Sequence, residues 1–468
     1  MKTVRYNFHS SLRFPLKQLL LLIVLMFSSG CALNPPPPLP QSPPTFPNHW
    51  SAPHQREAVG GDWFLPGQHD LLQRLILEGL TNNPQLQSKL SEARAAVQQA
   101  VTVGAVALPR LSSFLGVQRN DNGSSITSKG TLSLDFLWEV DLFDKLDDQT
   151  RAAVLAAEIS FSDYEHARLQ LAASISKAWF TLLEFREQIQ LISERKVNLQ
   201  KNLALIEDSY HLGLKQPLDL YLARSDLAAT EARSEQSRQE FRQGVLELEQ
   251  LLGRYPHGTL QTESALPRKF LPIPPGIPAD VLSNRPDIKT AGLALEAANL
   301  TTRAAWKNRF PSFSLTGSLG TSSNTLKDLL SSKTAAWSLL AGMVVPVIDG
   351  GRLKALQEQQ TQTAHTKSSL YRHTVILAFT EVENLLNDAE HLRLRHDHLE
   401  QAVHHAQLAE ELALDQYYQG LVHYVTVLES QRRTFDARNS LLTIAGERVR
   451  NRIDLLAALG AFPVPFHD

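Results

Sequence analysis

Hydrophobic and polar residues follow the same succession of patterns twice along the chain. In each half, a stretch with helical spacing leads into two segments that alternate at period two, and a long and a shorter helical stretch follow. Residues 83–86 (Asn-Pro-Gln-Leu) align with residues 285–288 (Arg-Pro-Asp-Ile) at an offset of about 202 positions. The sequence therefore predicts two repeats of helix, strand, strand, long helix and helix over residues 67–252 and 279–460, joined by a linker over 253–278.

The segments that alternate at period two predict four strands. They cover about residues 111–119 and 131–140 in the first repeat, and 313–320 and 337–345 in the second. A half-buried strand in a soluble sheet would explain any one of them. Together, as two hairpins with Trp138 and Trp337 in interfacial positions, they favour strands that cross a membrane.

Four strands cannot close a barrel, and an open strand edge in lipid leaves backbone groups unpaired. Several copies of the chain must therefore share one barrel. Three copies supply twelve strands, whereas two supply eight, which is too narrow for a wide pore. The predicted fold class is mainly α with membrane β, in which a trimeric twelve-stranded β-barrel continues into an α-helical coiled-coil barrel.

The long helical stretches cover about residues 145–211 and 351–417 and contain no proline. Their apolar positions step alternately by four and three residues, which is typical of a coiled-coil seam. At 1.5 Å per residue each would be roughly 100 Å long. Shorter helices over about 218–252 and 425–459 return antiparallel, because only short turns at Gly213 and Gly420 separate them from the long helices.

The N-terminal part of the chain carries the pattern of an export signal. Basic residues precede an apolar run over 19–27, so residues 1–30 are predicted to be a signal peptide. Cys31 follows small residues and is the only cysteine, which favours lipidation over an inert buried thiol. Residues 31–66 are predicted to be a lipidated, proline-rich tether that supports no packed core. Residues 461–468 form a tail.

Charge and motifs exclude several function classes. The 46 basic and 48 acidic residues are interspersed, so no basic stripe for a nucleic acid is expected. No catalytic motif is found, and we expect no enzyme and no cofactor. His391, His396 and His398 lie on a charged helical stretch, where a solvated face explains them better than a metal site does.

The chain resembles the outer membrane factor family, the TolC-like outer membrane efflux proteins, in its NodT-type lipoprotein subgroup. The resemblance covers the whole mature chain. Its specific segments are Asn-Arg-Pro-Asp-Ile at 284–288, Trp-Glu-Val-Asp-Leu-Phe at 138–143, Pro-Val-Ile-Asp-Gly-Gly-Arg at 346–352, and Tyr-x-x-Gly at both helix turns.

The resemblance implies a homotrimer in the cell outer membrane, anchored by lipid and docked on a periplasmic adaptor and an inner-membrane pump. Carried over from the family, Val425 and Glu429 would constrict the periplasmic mouth, and three Glu429 carboxylates near the axis would prefer cations. Val422 and Thr426 stand where some relatives have an arginine and an aspartate. The positions implied at the adaptor-docking tips are Gly213, Leu214, Gly420 and Leu421.

A second hypothesis stays open at this point. The chain could be a lipid-anchored periplasmic coiled-coil protein, an adaptor or structural spacer whose strands form a small soluble sheet. A channel would require detergent for extraction, whereas a spacer freed of its lipid would dissolve in water.

Overall fold

The computed structural model describes residues 36–40, 49–52, 70–213, 216–260, 265–267, 278, 281, 284–325, 329 and 334–460. The predicted signal peptide, Cys31, Leu214 and the tail lie outside these residues. The helices are α1 (Asp70–Asn82), α2 (Pro84–Gly104), α3 (Lys145–His211), α4 (Pro217–Leu251), α5 (Pro286–Lys307), α6 (Arg352–Tyr418) and α7 (Tyr424–Ala458); the strands are β1 (Arg110–Asp121), β2 (Ile126–Val140), β3 (Ser312–Ser323) and β4 (Ala335–Val344).

The four strands form one antiparallel sheet in the order β1-β2-β3-β4, so the two repeats meet where β2 pairs with β3. Leu111 pairs with Phe136, and Leu319 pairs with Trp337. Because paired residues point to the same side of a sheet, this register brings most of the apolar residues of all four strands onto one face. That face contains Leu111, Leu115, Val117, Leu132, Leu134, Phe136, Trp138, Val140, Phe313, Leu315, Leu319, Trp337, Leu339, Ala341 and Met343.

Several strand ends differ from the predicted bounds. β1 ends at Asp121, β3 ends at Ser323 and β4 begins at Ala335, each two or three residues outside the prediction. β2 begins at Ile126, well before residue 131, because a tight turn closes the first hairpin: the Asn122 side chain accepts hydrogen bonds from the backbone N–H groups of Ser124 and Ser125. β4 ends at Val344 and excludes Val345, which precedes Pro346. Proline has no N–H to donate, so the pairing stops there.

Each long helix has 67 residues and is therefore about 100 Å long. Both begin with the same cap. The Asp141 carboxylate accepts from the N–H of Lys145 at 2.8 Å, and the Asp349 carboxylate accepts from the N–H of Leu353 at 2.8 Å. These bonds satisfy N–H groups that have no partner within a helix, and they fix where each long helix leaves the sheet.

The helices lie in a row below the sheet. Near the sheet, the order of packing is α2, α3, α5 and α6; farther away, α4 packs on α3, and α7 packs on both α3 and α6. The principal core lies between α3, α4 and α7, where Ile175, Leu182 and Leu248 are fully buried. Among the described helices, none has the length and apolar content that crossing a membrane requires.

The predicted tether is not free of the folded body. Trp50 is only 6% exposed and belongs to a core cluster with Val375, Phe379 and Val382 of α6. The expectation that residues 31–66 support no packed core is therefore wrong for Trp50. A short piece of the linker behaves similarly on the first repeat, where Leu266 is buried and its N–H donates to the Glu187 carboxylate at 2.8 Å.

Candidate functional site

The two hairpin tips lie at the ends of the long helices, far from the sheet. Gly213 and Gly420 both have a φ of +74°, and the N–H of each donates to the carbonyl of the tyrosine three residues earlier. Only glycine adopts this left-handed conformation readily at the end of a helix. The two glycines predicted at the tips therefore have a backbone role, and neither has neighbouring atoms where a side chain would stand.

Large apolar side chains surround the tips and are open to solvent. Leu212, Leu218 and Tyr221 are exposed at the first tip, as are Tyr418 and Leu421 at the second. Exposed apolar groups this concentrated mark a contact surface. Leu421, one of the predicted docking residues, belongs to it, whereas its counterpart Leu214 lies outside the described residues.

A buried apolar cluster joins the second tip to the helices of the first repeat. The Tyr424 ring is buried 5.5 Å from the Tyr417 ring, in a cluster that also contains Ile206 of α3 and Leu220 of α4. Burial, with Asp226 nearby, raises the pKa of Tyr424 above its usual range. This phenol stays neutral and serves as packing between the two hairpins.

The predicted gate residues occupy the exposed side of α7 just beyond the second tip. Val425 is half exposed, and Glu429 lies one turn farther along. The Glu429 carboxylate accepts from Nε of Arg433 at 2.8 Å and from Nε of Arg432 at 3.0 Å. These hydrogen bonds from Arg433 and Arg432 lower the pKa of Glu429, so the carboxylate stays ionised.

This pairing changes the electrostatic expectation for Glu429. Asp436 lies 3.9 Å from Arg432 and completes a group of two acids and two bases. The group has no net charge, so three copies would not form the purely acidic ring from which a preference for cations was expected. Spacings of three and four residues in a helix predict such pairs, and this signal was present in the sequence.

Several contacts hold α7 against α3. Arg438 pairs with Glu194 at 3.0 Å, and Arg450 pairs with Glu184 at 2.6 Å. Burial raises the pKa of Glu184, although Arg450 opposes the shift. No local motif indicates these pairs, because each joins residues more than 240 positions apart.

Phe435 of α7 forms a second kind of contact with the first repeat. Two guanidinium groups lie over its ring, that of Arg195 of α3 at 4.7 Å and that of Arg233 of α4 at 4.9 Å from the ring centre. Cations over an aromatic face attract it electrostatically. The contact joins α7 to α3 and α4, the long and the short helix of the first repeat.

One group of side chains in the described part of the chain has the spacing of a metal site. His396, Asp397 and Glu400 bring their ligand atoms within 4.8 Å of one another, whereas His391 and His398 are not in the group. Arg393 donates to Asp397 at 3.0 Å. Because a cation already balances this exposed carboxylate, the group is best explained as a charged helix surface.

The second face of the sheet is mainly polar, with Phe114, Leu137, Leu340 and Val344 as its large apolar residues. Asp135 lies near its middle and accepts from the hydroxyl groups of Ser318 at 2.7 Å and Ser133 at 2.9 Å. At the end near the helices, Lys145 pairs with Glu139 at 2.6 Å. The sheet therefore separates an apolar surface from one that water can wet.

Comparison with known proteins agrees with this architecture. The family model for outer membrane efflux proteins matches residues 75–254 and 277–461. The chain is similar to the pyoverdine export outer membrane protein OpmQ of Pseudomonas putida, at 26% identity over 95% of this chain and 97% of the relative. It is also similar to the probable outer membrane lipoprotein SilC of Salmonella typhimurium, at 27% identity over 83% of this chain and 85% of the relative.

Among solved structures, the Campylobacter jejuni CmeC outer membrane channel superimposes with a TM-score of 0.85, at 21% identity, over 93% of this chain and 96% of that one. This likeness confirms the predicted TolC-like fold. The family model matches most of the chain, in the two repeats that the structure displays. The chain therefore belongs to the outer membrane efflux protein family.

Proposed function

We propose that this protein is the outer-membrane channel subunit of a tripartite efflux system. It conducts passively the small molecules that an inner-membrane transporter and a periplasmic adaptor deliver. The observation that carries the proposal is the sheet: one face is apolar across all four strands, the other is mainly polar, and helices about 100 Å long continue from it.

Closure of the channel requires other copies. Among the described residues, β1 and β4 each pair with one strand, so both edges of the sheet are open. In a trimer, β4 of one copy pairs with β1 of the next, and twelve strands close the cylinder. The helix row has matching ends, with α6 at one side and α2 and α4 at the other.

The tips and the gate take the roles that the family resemblance implies. The exposed apolar groups around Gly213 and Gly420 support docking of the adaptor there, together with Leu214 and Leu421. Val425 and Glu429 constrict the mouth beside them. Lipidation of Cys31 agrees with the likeness to SilC, whose name describes a probable outer membrane lipoprotein.

Two adjacent leucines on β4 provide a matched test of the membrane orientation. Leu339 lies on the apolar face, opposite Gly317, and Leu340 lies on the polar face, opposite Thr316. An arginine on the lipid side of a barrel costs about 2–4 kcal/mol near the bilayer centre, whereas the lumen tolerates charge. We expect Leu339→Arg to abolish the heat-sensitive trimer in membrane extracts and Leu340→Arg to retain it.

The assembly of the two arginine variants can also contradict the proposal. If both arginine variants assemble equally well, the apolar face does not contact lipid. A protein that dissolves in water as a folded monomer once its lipid is removed would instead support the periplasmic spacer.

A further inference from the structure

The N-terminal segment reaches the second repeat at two places. Residues 36–40 and 49–52, here called the strap, precede the first repeat in sequence but contact α5 and α6. At the upper contact, the Asn299 side chain accepts from the N–H of Leu39 at 3.1 Å and donates to its carbonyl at 3.0 Å. This reciprocal pair fixes the backbone of the strap on α5, as a neighbouring strand would.

Trp50 supplies the lower contact. Its indole ring lies 5.8 Å from the Phe379 ring and is buried among residues of α6 and α7, including Val375 and Leu455. Burying an aromatic side chain of this size removes a large apolar area from water. The strap thus contributes to the core cluster of the second repeat as well as lying on its surface.

Glu383 fixes the backbone next to Trp50. One carboxylate oxygen accepts from the N–H of Ser51 at 2.7 Å and the other accepts from the N–H of Ala52 at 2.9 Å. Hydrogen bonds to a charged group are stronger than those between neutral groups. The two bonds hold consecutive peptide groups against α6.

The distance between the two contacts is within the reach of the chain that joins them, although residues 41–48 lie outside the described part. Asn299 lies eight residues before the end of α5, about 12 Å from the sheet end, and Phe379 lies 27 residues into α6, about 40 Å from it. The eleven residues from Leu39 to Trp50 span about 34 Å when extended as polyproline. The eight residues from Cys31 to Leu39 reach at most about 29 Å, enough for a lipid at Cys31 to enter the membrane.

We propose that the strap is a brace that locks α6 to α5 and joins the lipid-bearing end of the chain to the second repeat. The contacts of Leu39, Trp50 and Glu383 thereby connect the helices of the second repeat to the segment that carries the lipid. The membrane part of this inference rests on the proposed function, whereas the lock itself rests only on contacts within the chain.

Hydrogen exchange at single residues tests the lock in the full-length protein in detergent. The amides of Ser51 and Ala52 should exchange slowly in the wild type, and Glu383→Ala should speed their exchange about tenfold or more, as loss of a charged hydrogen bond implies. Glu358→Ala is the matched control, because Glu358 lies exposed on the same helix and, within the described residues, accepts from Gln362 one turn away. It should leave both amides unchanged.

Trp50→Ala gives an independent reading, because it leaves α6 intact. It should release the same amides and lower the melting temperature of the trimer. Exchange of Ser51 and Ala52 at the rate of an unstructured peptide in the wild type, or no response to either variant, overturns the lock. Protected amides in a protein that conducts nothing would remove the proposed function and keep the lock.

Discussion

In each repeat, a side chain at the start of one helix binds the carbonyl at the end of another, but the two repeats use different residues for this contact. In the first, the Asn83 amide donates to the carbonyl of Leu251 at the end of α4, at 2.9 Å; in the second, the Arg285 guanidinium donates to the carbonyl of Ala458 at the end of α7, also at 2.9 Å. Each residue precedes the proline that begins a helix. Residues 83 and 285 therefore have the same role in the two repeats, since each joins the start of one helix to the end of another.

We call the contact of Asn83 with Leu251 the first clasp and that of Arg285 with Ala458 the second clasp, and their chemistry differs. The Asn83 side chain also accepts from the N–H of Leu86, so one neutral amide both caps α2 and holds α4. A guanidinium cannot accept, and Arg285 instead pairs with Asp287 at 2.8 Å and with Glu381 of α6 at 2.7 Å. The second clasp therefore also contacts α6 and uses charged groups. The first clasp uses only the neutral amide of Asn83.

The largest expected effect is loss of the charged clasp. Arg285→Ala leaves the partly buried Asp287 without its partner and removes the hydrogen bond to the Ala458 carbonyl, and it should reduce stability by about 3 kcal/mol. Asn83→Ala removes neutral hydrogen bonds and should cost about 1–3 kcal/mol. Thermal unfolding of the detergent-solubilised trimer, followed by circular dichroism, measures both. Equal losses, or a larger loss for Asn83→Ala, would show that charge does not distinguish the clasps.

The glycines next to the two clasps have the same backbone geometry. Substituting either by alanine should therefore lower the free energy of unfolding by the same amount. Gly253 and Gly460 have φ of +74° and +67°, and a Cβ on either would lie 2.5 Å from a backbone oxygen, that of Asn82 or Asn284. Alanine at either position should cost about 2–3 kcal/mol. Gly213→Ala is the control with positive φ but open surroundings, and about 1 kcal/mol is expected there. Unequal losses at 253 and 460 would contradict the shared geometry.

Acid should weaken only the second clasp. Burial acts to raise the pKa of Asp287, but the hydrogen bond and charge of Arg285 outweigh it and hold that pKa below the ordinary value of 3.8. A depressed folded-state pKa contributes stability that is present above 3.8 and is lost as the pH falls through the folded-state value.

The melting temperatures of the wild type and Asp287→Asn should therefore differ at neutral pH and converge in strong acid. Glu184 has a pKa shifted in the opposite direction, but it is present in both proteins and cancels in the difference. A constant gap at all pH values would mean that Asp287 does not contribute through its charge.

The smallest effect concerns the tips, where the repeats differ in charge. Glu429→Gln leaves Arg432 and Arg433 with only Asp436, so each copy gains one net positive charge at this surface. The reversal potential across a planar bilayer in dilute salt should shift modestly toward anions, because screening is weakest there. Leu222→Gln, at the corresponding position of α4, is the neutral control. An unchanged potential would remove Glu429 from the constriction.

Much of this architecture is predictable from the sequence, since its causes are local. Alternation at period two fixed the faces of Phe136, Leu315 and Trp337, and the sheet register aligned those faces. The four-and-three spacing predicted the long helices for a similar reason. The start of β2 was missed because residues 127–130 are polar or glycine and do not alternate with apolar residues, so their strand conformation depends on pairing with β1.

The remaining features arise from contacts between distant parts of the chain. Trp50 meets Phe379, and Arg450 meets Glu184, across separations that periodicity does not reveal. The Asn-Arg-Pro-Asp segment identified the family, but its physical task, holding the end of α7, became visible only in the fold. The family resemblance supplied positions for the gate; it did not supply the arginines that neutralise Glu429.

The conductance of the purified full-length protein in a planar lipid bilayer shows whether the chain forms a channel. We expect discrete, stable conductance steps that appear with the detergent-extracted trimer and disappear after heating dissociates it. A folded protein that stays monomeric without detergent and adds no conductance to the bilayer would contradict this expectation.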